Sequence, residues 1–173
     1  MKKIIPQIII AIGLLIACSC QKENVTRLNG TWKVKHRTDS FSSTVLGETA
    51  SISYNYDLSN SDVYLTFELE DSDNAVLDEG TVTLSHGSET SSTGFIYSPT
   101  SKKLAFDRPL SVSSEVKDED SNETIETTFN TSEEFDVQEL TSNTMILFSS
   151  TQVSFGSDIQ AKSENTISLS RVK

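Results

Sequence analysis

Val63-Tyr64-Leu65-Thr66-Phe67-Glu68-Leu69 places an apolar residue at every second position, with Tyr64, Thr66 and Glu68 between them. Successive side chains of an extended chain point to opposite faces, so this spacing builds a strand with one oily side and one wet side. The same period recurs upstream. Ile52, Tyr54, Tyr56 and Leu58 share one face against Ser51, Ser53, Asn55 and Asp57, and Trp32 and Val34 alternate with Lys33 and Lys35. All of these read as half-buried strands. Downstream, Val82 and Leu84 follow two turn-rich stretches, Asp71-Ser72-Asp73-Asn74 and Asp78-Glu79-Gly80. Gly94-Phe95-Ile96-Tyr97 and Lys103-Leu104-Ala105-Phe106 flank Ser98-Pro99-Thr100-Ser101, the pattern of a hairpin. Leu110, Val112 and Val116 come next, then Ile125 with Phe129, and Phe135 with Val137. Thr141-Ser142-Asn143-Thr144 turns the chain into Met145-Ile146-Leu147-Phe148. Val153 with Phe155 adds a short segment, and Ile167 with Leu169 gives the last strand. No stretch carries the helical period. Roughly eight to ten short strands at this spacing predict one all-β domain, a single antiparallel β-barrel or a flattened barrel or sandwich.

The 173 residues carry 14 Lys+Arg against 25 Asp+Glu, a formal net charge of −11. That balance excludes a nucleic-acid binder, because phosphate contacts need a basic footprint. Lys2 and Lys3 precede a mostly apolar run from Ile4 to Ile16. The run is too short to span a bilayer core of ~30 Å as a helix, so it reads as a secretory signal.

Leu15-Ile16-Ala17-Cys18 resembles the lipobox of bacterial lipoproteins. The resemblance implies a cut before Cys18 and acylation of its thiol. Ala17-Cys18-Ser19-Cys20 is a second match and makes Cys20 the alternative. Both of the chain's cysteines are here, so the folded domain contains none and does without disulfides. The expected organisation is a lipoprotein signal peptide over 1–17, a lipidated N-terminus and linker over 18–27, and the β domain over 28–173. The expected location is the cell outer membrane, on either its periplasmic or its extracellular face. An acidic domain is repelled by anionic head groups, so lipid does the tethering. Gln21-Lys22-Glu23-Asn24 resembles the charged stretch that directs some lipoproteins to the outer face. Extended, residues 21–27 reach about 25 Å from the anchor.

Leu28-Asn29-Gly30-Thr31-Trp32-Lys33-Val34 resembles the Gly-x-Trp opening of lipocalins and of lipocalin-like bacterial lipoprotein domains. The resemblance implies that Gly30 and Trp32 open the first strand, that Trp32 plugs the closed end of a barrel, and that a basic side chain near the last strand covers it. Arg171 stands in sequence where that residue belongs. The second lipocalin motif, with Thr-Asp-Tyr, is missing, so the likeness is to lipocalin-like domains.

Phe67, Phe95, Phe106, Phe129, Phe135 and Phe148 all fall in predicted strands. Facing inward they either fill the core or line a cup for a small hydrophobic ligand. Glu115, Asp118, Glu119, Asp120, Glu123 and Glu126 form an acidic run without the glycine that a calcium loop needs, which favours a solvated hairpin tip over a metal site. His36 and His86 have no cysteine partners for zinc. There is no nucleophile elbow and no phosphate loop. Adjacent Glu133 and Glu134 on a strand point to opposite faces and cannot converge. The expectation is a non-catalytic protein without cofactor or metal. It binds a small hydrophobic ligand, or it is a surface accessory subunit that binds a protein or glycan.

Overall fold

The computed structural model describes residues 28–70, 77–117, 124–156 and 158–173. The signal segment, Cys18 and Cys20, the linker to residue 27, the turn-rich segment 71–76 and the acidic segment 118–123 lie outside them. The described chain forms eleven strands: β1 (Gly30–Val45), β2 (Glu48–Asp57), β3 (Val63–Leu69), β4 (Asp78–His86), β5 (Glu89–Ser98), β6 (Lys103–Phe106), β7 (Ser111–Lys117), β8 (Thr124–Asn130), β9 (Glu134–Leu140), β10 (Thr144–Phe155) and β11 (Ile159–Arg171).

Eight of them close an antiparallel barrel in the order β1-β3-β4-β5-β6-β9-β10-β11, with β11 returning to pair with β1. The ladder is an up-and-down meander once two departures are recognised. In the first, β2 and β3 act as one interrupted strand: both run antiparallel to β1, β2 against its distal half and β3 against Gly30–Lys33. The break falls at Leu58–Asp62, where the Leu58 N–H donates to the Lys35 carbonyl at 2.8 Å. Lys35 is the extra residue where the β1–β11 register slips between Val34 and His36. One bulged residue reverses which side chains face inward, so Trp32 and Val34 point into the barrel below it and Arg37 points inward above it.

The second departure is the β7–β8 hairpin, a separate two-stranded sheet inserted between β6 and β9. Its base folds over one end of the barrel, where Leu110, Val112 and Phe129 are buried with the core. Polar contacts fix it there. The Ser113 N–H donates to Glu89 at 2.8 Å, Arg37 Nη1 donates to the Asn130 carbonyl at 2.8 Å, and Arg108 Nη2 donates to the Ser92 carbonyl at 2.9 Å.

Alternation decides the interior. Leu65, Phe67, Leu84, Leu104, Leu147 and Ile167 are fully buried, while the row Thr31–Thr66–Thr83–Ser92 lies on the outer face. Hydroxyl contacts run along that row, Thr31 to Thr66 at 3.1 Å and Thr83 to Ser92 at 2.8 Å. A barrel that spans a bilayer shows apolar side chains outward and polar ones inward; here the order is reversed.

Three expectations change. Phe148 sits between buried Leu147 and Ser149 on the outer face of β10, so it lines no lumen. Ile52, Tyr54 and Tyr56 are not half-buried, because every residue of β2 is exposed on both faces. The apolar period of β2 is present, but no layer covers it. Val153 and Phe155, expected as a separate short segment, continue β10.

Candidate functional site

Beyond the barrel mouth the chain keeps pairing. The distal halves of β1, β10 and β11, together with β2, extend as a four-stranded flap in the order β2-β1-β11-β10. Its β1–β2 hairpin is tight. Leu46 and Gly47 both have positive φ, 51° and 87°, as a two-residue loop of the I′ kind requires. The Leu46 N–H donates to the Asp158 carbonyl at 2.9 Å and ties the tips of the two hairpins together.

The registers sort the flap's side chains into rows. On the side continuous with the barrel interior, the first row is Tyr56–Arg37–Ile167–Leu147 and the second is Tyr54–Asp39–Asn165–Ser149. Next come Ile52–Phe41–Ser163–Thr151, then Ala50–Ser43–Ala161–Val153, and at the tip Glu48–Val45–Ile159–Phe155. Residues paired in this way share a face. Phe41 is 49% exposed, Tyr54 51% and Phe155 67%, and Val45, Ile52, Tyr56, Val153 and Ile159 are also open to solvent. Ser43, Val45, Ala50 and their tip neighbours line a shallow hollow where small side chains interrupt the larger ones.

The reverse face carries none of these. It reads Asn55–Thr38, Ser53–Ser40, Ser51–Ser42 and Thr49–Thr44 across β2 and β1. Three of the pairs are hydrogen-bonded, at 2.9, 3.0 and 2.8 Å, and Lys162 pairs with Glu164 at 2.7 Å. The flap is therefore amphipathic and solvated on both sides. A single sheet with one bare apolar side does not satisfy its own hydrophobic surface, and such patches mark contact sites.

Where the flap leaves the barrel, charge is neutralised in place. Arg37 Nε meets both Asp39 carboxylate oxygens at 2.9–3.0 Å, Asn165 donates to Asp39, and the Arg37 guanidinium stacks 4.9 Å from the Phe129 ring of the hairpin. At the outer edge, the Ser59 backbone N–H and then its hydroxyl hold the Asp57 carboxyl below the usual carboxylate range.

The opposite end holds the Gly30, Trp32 and Arg171 set. Trp32 is fully buried and its indole N–H donates to the Leu28 carbonyl at 2.9 Å. Arg171, paired with Trp32 in the β1–β11 ladder, lies 4.4 Å from the ring and donates to the Asn29 carbonyl at 2.8 Å. Gly30 has φ +118°, and a Cβ there would come within 3.1 Å of the Arg171 guanidinium.

The six phenylalanines do not form one cup. Phe67, Phe95, Phe106 and Phe135 are buried and contact each other edge-on or tilted at centroid distances of 5.4, 6.4 and 5.5 Å. They spend their faces on one another. Phe129 belongs to the covering hairpin, and Phe148 points out.

The histidines stand apart, His36 3.7 Å from Asp57 and His86 Nδ1 2.9 Å from the Ser113 carbonyl oxygen. Among the described residues no three His, Cys, Asp or Glu side chains gather as metal ligands. Near the closed end Asp78 lies opposite Tyr97, and burial pushes its carboxyl above the usual range. Burial and the Asp78 charge together raise the Tyr97 hydroxyl.

Sequence reasoning missed the flap because Ser40–Thr44 and Ser149–Gln152 are mostly small polar residues, which carry no hydrophobic period of their own. The available signal was the even spacing of Phe41 with Val45, and of Val153 with Phe155, across small polar residues.

No family model matches the chain, and neither does any curated protein. Among solved structures it is similar to the crystal structure of Ail, the attachment invasion locus protein of Yersinia pestis. That match has 10% sequence identity and a TM-score of 0.30, over 83% of this chain and 99% of that one.

Proposed function

We propose that this protein is a lipid-anchored, non-catalytic interaction module of the bacterial outer membrane, and that it engages a protein partner through the apolar face of its flap. The observation that carries this reading is the sorting of the flap's exposed large apolar side chains onto one face. Anchoring rests on Leu15-Ile16-Ala17-Cys18 and on the barrel's polar exterior, which offers no band for lipid to contact. The first described residue, Leu28, lies against Trp32 at the closed end, so the flap projects from the end farthest from the tether. β1 alone rises about 50 Å at ~3.3 Å per residue, which carries the flap well clear of the anchoring surface.

The test is intact-mass analysis and affinity capture of the full chain extracted from membranes. Loss of residues 1–17 and added acyl mass on Cys18 are expected, with retained protein that disappears on Phe41→Lys. An unlipidated chain shed into the medium overturns the anchor, and identical capture by wild type and Phe41→Lys overturns the flap.

A second reading, a small apolar ligand held under the β7–β8 hairpin, draws on the seating of that hairpin over the apolar core at one barrel end. Native mass spectrometry of the extracted chain decides it.

A further inference from the structure

We infer that the occupant of the flap face is a second copy of this chain, the two flaps packing face to face as a two-layered sandwich. The inference rests on the flap being the interaction surface, and four properties of that surface select a second copy.

The first is area. Ile167 and Leu147 of the first row are buried in the barrel, so the open rows run from Tyr54 to the tip. Four strands at ~4.8 Å spacing over about 20 Å present about 400 Å² per copy. Two copies together bury about 800 Å², the size of a weak contact that tethering on one membrane supports.

The second is charge. A chain of formal net charge −11 repels its own copies over most of its surface. On the flap face Arg37 and Asp39 neutralise each other, and the remaining charged side chain, Glu48, lies in the tip row on the β2 edge. Two copies meet there with the least repulsion.

The third is form. Aligned sheets pack about 10 Å apart with their inner faces interleaved and polar residues outside. Each flap already has that anatomy, with Phe41, Ile52 and Phe155 on one side and hydrogen-bonded Ser and Thr on the other. The contact is isologous, so it closes at two copies.

The fourth is orientation. With the chain entering at the closed end, two copies on one membrane project their flaps in the same direction. A twofold axis along the strands then needs no inversion of either copy, and tethering raises their effective concentration.

The experiment uses the full chain in its own membranes, with the photo-reactive residue benzoylphenylalanine placed either at Tyr54, on the apolar face, or at Ser53, its neighbour on the polar face. The expected result is an adduct of two copies from position 54 and none from position 53. A Phe41→Glu change, in the middle row, should cut the position-54 yield by about ten-fold or more, as loss of a central contact does. Phe41 is already half exposed, so an unchanged thermal melt shows that folding is intact. Adducts of equal yield from both positions mean edge pairing through β2 and overturn the face-to-face dimer. An adduct with a different polypeptide at position 54 overturns the second copy but leaves the interaction module standing. Silence at both positions overturns both readings.

Discussion

Arg171, in the last strand, holds its guanidinium 4.4 Å from the ring of Trp32, in the first. The contact lies across the β1–β11 pairing that turns a sheet into a closed barrel, so it joins the first and last strands of the wall. Its hydrogen bond to the Asn29 carbonyl covers the entry to β1 as well. Replacing Arg171 by Ala should lower stability by about 1–2 kcal/mol, the sum of a partly desolvated cation–π contact and one hydrogen bond. Lys, which keeps charge but not the planar stack, should recover only part of it. Urea melts of the three proteins measure this.

Gly80 pairs with Phe95 and Leu69 where β4 crosses the closed half of the barrel. A Cβ there would fall on the Glu68 carbonyl oxygen and within 2.9 Å of the Phe95 ring. The backbone oxygen cannot rotate away as a side chain would. Gly80→Ala should therefore cost about 1–3 kcal/mol by overpacking, against near neutrality for Gly87→Asn in an open turn. Thermal melts of the two variants separate the cases.

Burial holds the Asp78 carboxyl above the usual carboxylate range because it disfavours the charged form, and its Oδ2 has no partner among the described residues. An acid whose folded pKa is raised stabilises the fold only while protonated, and that contribution is lost as pH rises through the folded pKa. Asp78→Asn should thus raise the melting temperature at pH 7, and the gain should vanish as pH falls below the ordinary Asp pKa of about 3.9. A gain that stays constant from about pH 3 to about pH 7 would contradict the assignment.

Phe129 anchors the hairpin over the barrel mouth, buried on one side and stacked under Arg37 on the other. Phe129→Ala should remove about 3 kcal/mol of packing. The loss should be local, with faster amide exchange at Val112 and Phe129 than at Leu65 or Leu84 in the barrel wall. Uniformly faster exchange would mean that the hairpin and barrel unfold as one unit.

Leu46 holds φ at 51° in the β1–β2 turn, a conformation its branched side chain disfavours, and its side chain is 79% exposed. Asn tolerates that region, so Leu46→Asn should stabilise the chain by about 1 kcal/mol with no packing lost. A denaturation midpoint below that of wild type would show that Leu46 contributes apolar contact instead.

The barrel wall was legible because each strand has a covered face. Leu65 and Phe67, and Val82 and Leu84, alternate with polar residues, Leu104 and Phe106 flank the small Ala105, and all six are buried where the period predicts. Phe148 broke the pattern. It belongs to an apolar run, Met145-Ile146-Leu147-Phe148, in which alternation cannot say which residues face inward. The Ile52–Tyr56 period was read correctly as strand and incorrectly as half-buried, since period fixes a shared face and not what covers it.

The amino-acid order by itself determined an all-β chain, the ladder of short strands and the polar exterior of the barrel, because pleat geometry ties side-chain direction to sequence parity. Tertiary structure alone decided that β1, β10 and β11 outrun the barrel and carry β2 with them, and that the β7–β8 hairpin covers the mouth. One bulged residue at Lys35 and one break at Leu58–Asp62 set where the wall ends and the flap begins. Strand pairing over such distances is a property of registers between remote segments, and a local hydrophobic period does not record it.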